Sequence, residues 1–164
     1  MAYYSVQSKI QINFAVDKVW NLISKPGSLN EVHPFCKENK PLLWEDNANK
    51  KDVLVYLNGL EYHREFLKWE EQKGYELMIG KKEGKKSRVI WELKAIGEKS
   101  FLKITVFPYR SKKIPRPLYL LAHLFFVRPK LKSYLSSVLN GINWSLTHGK
   151  AVPRNHFGVH SWFA

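Results

Sequence analysis

The sequence predicts an α+β domain in which one long C-terminal helix covers the concave apolar face of a curved antiparallel sheet, the two enclosing a cavity if the sheet curves strongly. Three observations predict it. An alternating segment near the N-terminus gives way at once to a helical one, a long central stretch is punctuated only by tight turns, and one long amphipathic stripe follows. Strands that run consecutively, with helices outside the run, place those helices on one face of an antiparallel sheet. At 164 residues the chain suits a single domain of this kind.

Residues 4–13 alternate. Val6, Ser8, Ile10 and Ile12 share one side, and Ser5, Gln7, Lys9 and Gln11 the other, which is the period of a half-buried strand. The period then changes: Val16, Val19, Trp20 and Ile23 recur at helical spacing, and Pro26-Gly27 closes the helix. A short turn or helix around Ser28–Val32 leads into His33. From Lys40 to Pro108 the punctuation is that of consecutive strands. "DVLVYL" runs into Asn58-Gly59, a two-residue hairpin signal, and "LEYHREFLKWEE" turns near Lys73-Gly74. "YELMIG" precedes a charged loop, and "SRVIWELKAI" turns at Gly97-Glu98 into "SFLKITVFPY". Strands joined by such short turns form an antiparallel meander. From Pro129, a residue suited to a first helical position, Leu131, Leu135, Val138, Ile142 and Leu146 make one stripe that Gly149 stops. Gly141 inside this helix costs about 1 kcal/mol against Ala, and a packing contact is the expected reason for it.

The charge is uneven. All 14 acidic residues lie at or before Glu98; the remaining 66 residues hold 11 of the 27 Lys and Arg. Such asymmetry points to an anionic partner or to a solvated basic face. Within this cationic third, Leu118–Val127 is apolar at every position but His123. Spanning a bilayer takes about 20 apolar residues, so ten exclude a membrane span. Pro115 and Pro117 begin the segment and Pro129 ends it. A short helix between breaks is expected, acting as a flap (residues 109–128) over the cavity mouth.

Several chemistries are excluded. The single cysteine, Cys36, forms no internal disulfide, and there is no CxxC, HExxH or GxSxG. His156 and His160 are four apart, but Gly158 intervenes and no acidic residue is near, so no metal is expected. No Gly-rich phosphate loop appears, and no cofactor is expected. Nucleic acid is disfavoured because Tyr109, Tyr119, Tyr134 and Trp144 fall at core or flap positions and do not interleave with Lys and Arg. The tail, residues 151–164, is expected to dock Phe157, Trp162 and Phe163 on the domain. The N-terminus has neither the basic start nor the long apolar stretch of a signal peptide, which makes the cytoplasm the expected compartment.

"INFAVDKVWNLISKPGSLNEVHP", then "VIWELKAIGEKSFLKITVFPY", then the helix from Pro129 to His148, in that order, resemble the helix-grip (SRPBCC-type) superfamily. That group includes START lipid-transfer domains, Bet v 1-like proteins and the polyketide cyclase/dehydrase proteins. The resemblance covers roughly residues 4–150. It implies about seven antiparallel strands around the C-terminal helix, with a hydrophobic cavity between. It supplies no universal catalytic residue. The stretch from Tyr109 to Arg128 and the tail after Gly149 depart from the simplest members.

Binding, and carriage, of a small hydrophobic or amphipathic ligand such as a lipid, an isoprenoid or quinone, or a polyketide is the expected function. Strand alternation places Val55, Leu57, Tyr62, Arg64, Leu77, Val89, Trp91, Leu93, Ile104 and Val106 on the inner face, opposite Val138 and Ile142 of the long helix. Tyr62 and Arg64 share a face with Leu60 and Phe66, and Arg64 would orient a polar head. The alternative is a polyketide cyclase/dehydrase-like enzyme, for which Tyr62, Arg64 and His33 are the residues available; the plainer reading of Arg64 is a pair with a carboxylate. Arg110, Lys112, Lys113, Arg116, Arg128, Lys130 and Lys132 form a basic rim, expected to hold the flap against an anionic membrane, peripheral to its inner face.

Overall fold

Strand β1, Val6–Ile12, passes into α1, Val16–Ile23, and a single turn α2, Leu29–Val32, in the computed structural model, which describes residues 4–45, 49–110 and 113–164. Six strands follow: β2 Cys36–Trp44, β3 Lys50–Tyr56, β4 Glu61–Glu70, β5 Gly74–Gly80, β6 Lys86–Ile96 and β7 Lys99–Phe107. The seven strands lie in the order β1-β7-β6-β5-β4-β3-β2, every pairing antiparallel. A meander thus runs from β2 to β7, and β1 returns beside β7. The chain ends with α3, Arg116–Ala122, and α4, Arg128–His148, which packs across β1 and α2. Leu131, Leu135, Val138, Leu139 and Ile142 bury its stripe, and Gly149 caps it with a left-handed φ of 65°.

Three local readings of the sequence need correction. The first strand of the meander begins at Cys36, not near Lys40. It is an edge strand with two irregularities, and only Cys36 and Asn39 are buried along it, so no alternation marks it. The second correction is the hairpin at Asn58-Gly59. A two-residue turn would pair Leu57 with Leu60. Instead the Tyr56 N–H donates to the Leu60 carbonyl at 2.8 Å, and Leu54 lies opposite Tyr62. The turn contains Leu57 as well, and this one-residue slip inverts β3 relative to β4.

The third concerns Pro129, which breaks nothing. From Arg116 to His148 the chain is one uninterrupted helical run in which His123–Val127 form a π turn. The Arg128 N–H reaches back five residues to the His123 carbonyl. Proline cannot donate to the preceding turn, and the widened turn accommodates its ring.

Gly141 has the packing role expected of it. A methyl there would sit inside the contact distance of the Val32 carbonyl oxygen and 3.1 Å from Pro34 Cδ. The glycine lets α2 and the His33–Pro34 segment lie directly on α4, and this positions the site.

Candidate functional site

Between the sheet and α4 lies a cavity of about 390 Å³. Its wall is mostly apolar: Leu77, Ile79, Val89, Trp91, Ile104 and Val106 from the sheet, Leu131, Leu135 and Val138 from α4. Tyr119 and Val127 approach from the flap, and Trp162 and Phe163 from the tail. On the side of α1, Trp20, Trp69 and Tyr75 fill the space between helix and sheet, with the Trp69 and Tyr75 rings stacked at 5.0 Å. The cavity therefore does not extend the length of the sheet.

The polar groups cluster on β3, β4, α4 and the segment after α2. The Phe35 N–H donates to His33 Nδ1 at 3.2 Å, so the proton of this imidazole sits on Nε2. Nε2–H then donates to the Tyr134 hydroxyl at 2.8 Å, which lies 3.1 Å from the Tyr56 hydroxyl. Burial, aided by the charges of Arg64 and Arg154, holds His33 down to about 3, and it stays neutral. Burial likewise pushes the Tyr56, Tyr62 and Tyr134 phenols up. The Phe163 ring stacks on Tyr56 at 4.3 Å and fixes it from the tail side.

Arg64 is paired. Its Nε and Nη2 donate to the two carboxylate oxygens of Asp52 at 2.7 and 2.5 Å, and both side chains are buried. Asp52 and Arg64 lie directly opposite in the β3–β4 ladder. Burial works against the cation, but Asp52 outweighs it and holds the guanidinium charged. Cys36, also buried, has its thiol pushed up to about 11 by desolvation.

The residues expected on the inner face divide into groups. Tyr62, Arg64, Leu77, Val89, Trp91, Ile104, Val106 and Val138 line the cavity. Leu93 and Ile142 are buried but do not line it. Val55 and Leu57 do not line it either; the slipped turn presents Leu54 and Tyr56 in their place. Arg64 lines the wall already neutralised, which removes the free cation that was to orient a polar head. His33 lines it too, but its lone pair is occupied and its ring is neutral, so it is no general base. The sequence reading missed Tyr56, Tyr134 and Phe163 as one cluster, since they come together from three distant segments.

The tail holds by defined bonds. The Val152 N–H donates to the Glu31 carbonyl at 2.8 Å and the Asn155 N–H to the Pro34 carbonyl at 3.0 Å. His160 donates to the Lys130 carbonyl at 3.0 Å, and His156 lies against Trp144. Phe163 is buried and Trp162 half-buried, whereas Phe157 remains exposed, contrary to its expected docking. Among the described residues of the flap only Tyr119 and His123 are buried, and Phe125 and Phe126 are 70% and 67% exposed. Of the basic rim, Arg110 stacks over Tyr119 and Lys130 donates to Ser161; Lys112 lies outside the described residues. Arg128 and Lys132 line an open groove with Lys9 and Lys103. No described helix is long and apolar enough to cross a membrane.

No family model matches the chain, and no curated protein matches it in sequence. Solved structures do match. A protein from Thermus thermophilus, TTHA0849, is similar with a TM-score of 0.70 and 16% identity, over 88% of this chain and 98% of that one. A START superfamily protein from Mycobacterium smegmatis is similar with a TM-score of 0.66 and 10% identity, over 88% and 97%. The Zhui aromatase/cyclase from a Streptomyces species is similar with a TM-score of 0.67 and 12% identity, over 88% and 93%. At these identities the likeness establishes the fold, and the fold is the helix-grip.

Proposed function

We propose that this helix-grip domain binds and carries a small hydrophobic or amphipathic molecule, such as a lipid, an isoprenoid or quinone, or a polyketide. The observation that carries the reading is the apolar cavity of about 390 Å³, in whose wall the buried cation Arg64 is internally neutralised. Burial of the ligand's apolar part supplies the affinity, at about 25 cal/mol per Å² before association costs. Native mass spectrometry of freshly purified protein tests this. A co-purifying hydrophobic molecule, released by organic extraction, is the expected result. An empty protein that also takes up no added hydrophobic probe would overturn it.

The flap and its charges give the carrier a place to load. Tyr119 and Val127 face the cavity while Leu118, Leu121, Leu124, Phe125 and Phe126 face outward. Arg116, Arg128 and Lys132 flank this segment along the chain, and no acidic residue follows Glu98. We place the protein in the cytoplasm, with the flap docking on an anionic membrane surface as a lid through which the ligand exchanges. Vesicle flotation should show binding to phosphatidylglycerol-containing vesicles over pure phosphatidylcholine. Replacing Arg116, Arg128 and Lys132 by Gln should weaken it about fivefold per charge, each cation near the surface contributing about 1 kcal/mol. Binding indifferent to acidic lipid would remove the membrane from the reading and leave the cavity untouched.

The second reading, a cyclase/dehydrase-like enzyme, draws on the hydroxyls of Tyr56 and Tyr134, which can donate to a substrate carbonyl in an apolar site. Carriage is favoured because none of His33, Tyr62 and Arg64 offers a base: His33 has its lone pair engaged, Tyr62 is held protonated and Arg64 is held by Asp52.

A further inference from the structure

We infer that the ligand's polar end is a single uncharged hydrogen-bond acceptor, such as a ketone, quinone or ester carbonyl oxygen, received by the Tyr56 and Tyr134 hydroxyls, and that the cavity rejects a carboxylate. This rests on the carrier reading and names the chemistry of its ligand.

Counting protons leads there. The His33–Tyr134–Tyr56 chain contains one imidazole N–H and two phenolic O–H groups, three donors joined by two hydrogen bonds. His33 cannot take a proton back, because its Nδ1 already accepts from the Phe35 N–H. One phenolic hydrogen is therefore left over, whichever way the tyrosine pair is oriented. Both phenols belong to the cavity wall, Tyr56 buried and Tyr134 half-buried, and the cavity is the space their surplus donor has to point into. A donor withdrawn from water without an acceptor is costly, and a ligand oxygen supplies the acceptor when the ligand fills the cavity.

Charge sets the other half of the specificity. Among the described residues Arg64 is the only cation on the cavity wall, and Asp52 already takes two of its nitrogens. A ligand carboxylate would bring a second negative charge to a buried pair that needs only one. Without a cation of its own it would remain desolvated and uncompensated. A neutral oxygen meets no such penalty.

Three compounds sharing one ring system and differing at one terminal group test this: 2-acetylnaphthalene, 2-ethylnaphthalene and 2-naphthoate, compared by equilibrium dialysis at pH 7. The ketone should bind about five- to tenfold tighter than the hydrocarbon, the yield of one neutral hydrogen bond. The carboxylate should bind at least about 100-fold more weakly than the ketone. In a Tyr56→Phe, Tyr134→Phe variant the ratio of ketone to hydrocarbon affinity should fall to about one, and measurable binding of either compound shows the variant folded. Should it not fold, the three wild-type affinities decide alone. Equal binding of ketone and hydrocarbon by the wild type, or tightest binding by naphthoate, overturns this inference and leaves carriage standing. If none of the three binds, carriage itself fails and this inference with it.

Discussion

An Asp52→Ala variant should lose about 3–5 kcal/mol of folding stability, measured by urea denaturation. Both members of the Asp52–Arg64 pair are buried, so removing the carboxylate leaves a guanidinium without its counter-ion in the wall of an apolar cavity. The neighbouring groups do not replace it. His33 is neutral, and the phenols of Tyr56, Tyr75 and Tyr134 have all been pushed up and stay protonated. The Phe66 ring, 5.2 Å from the guanidinium carbon, offers only a weak cation–π contact. Removing both charges at once is a different matter. An Asp52→Leu, Arg64→Met double variant should recover most of the loss, because a well-packed apolar pair avoids the desolvation that the ion pair suffers. A single variant within about 1 kcal/mol of wild type would mean that water reaches Arg64 freely, and the charge argument for ligand selection would lose its basis.

Gly141→Ala should also destabilise strongly, by about 2–3 kcal/mol, even though Ala is the better helix former by about 1 kcal/mol. The added methyl meets the backbone carbonyl of Val32, not the end of a flexible side chain. That peptide cannot easily retreat, since the following residue, His33, is tied to Phe35 and Tyr134, and its carbonyl accepts from Arg154 and the Cys36 N–H. The expected fall in Tm is about 4–12 °C for a chain of this size. Ligand affinity should fall with it, because moving His33 displaces the tyrosine pair. An unchanged Tm would show that α2 slides on α4 without resistance.

Periodicity was legible wherever one face of an element met the core and the other met water. Val6–Ile12 and the stripe of α4 are of that kind, and so is β4, where Tyr62 and Arg64 do face inward. It failed on β3, where Val53, Leu54, Val55, Tyr56 and Leu57 are apolar in unbroken succession and offer no contrast. The face then rested on the turn, and one additional loop residue reversed it. The inward-facing Asp52, opposite Arg64 in the ladder, also interrupts the apolar pattern on the face that meets the core. β2 was silent for the opposite reason, exposing Leu42 and Leu43 as a sheet edge does. The site's polar cluster was out of reach of local pattern altogether. Tyr56 and Tyr134 are 78 residues apart, and His33 and Tyr134 are 101 apart; only the completed fold makes them neighbours.

The wide turn at His123–Val127 has a geometric consequence for the apolar segment before it. Each residue of an α-helix advances the chain by about 100° around its axis, so residue number within an unbroken helical run fixes angular phase. The π turn contributes one residue more than an α turn would, and thereby rotates everything before it relative to everything after it. The heading of Leu118, Leu121 and Phe125 with respect to α4 is thus decided by how many residues the turn contains, whatever their chemistry. Take one residue out and the greasy face swings by roughly a quarter of a revolution, carrying Tyr119 off the cavity wall. The apolar face is indexed to its helix by counting, much as a toothed wheel is.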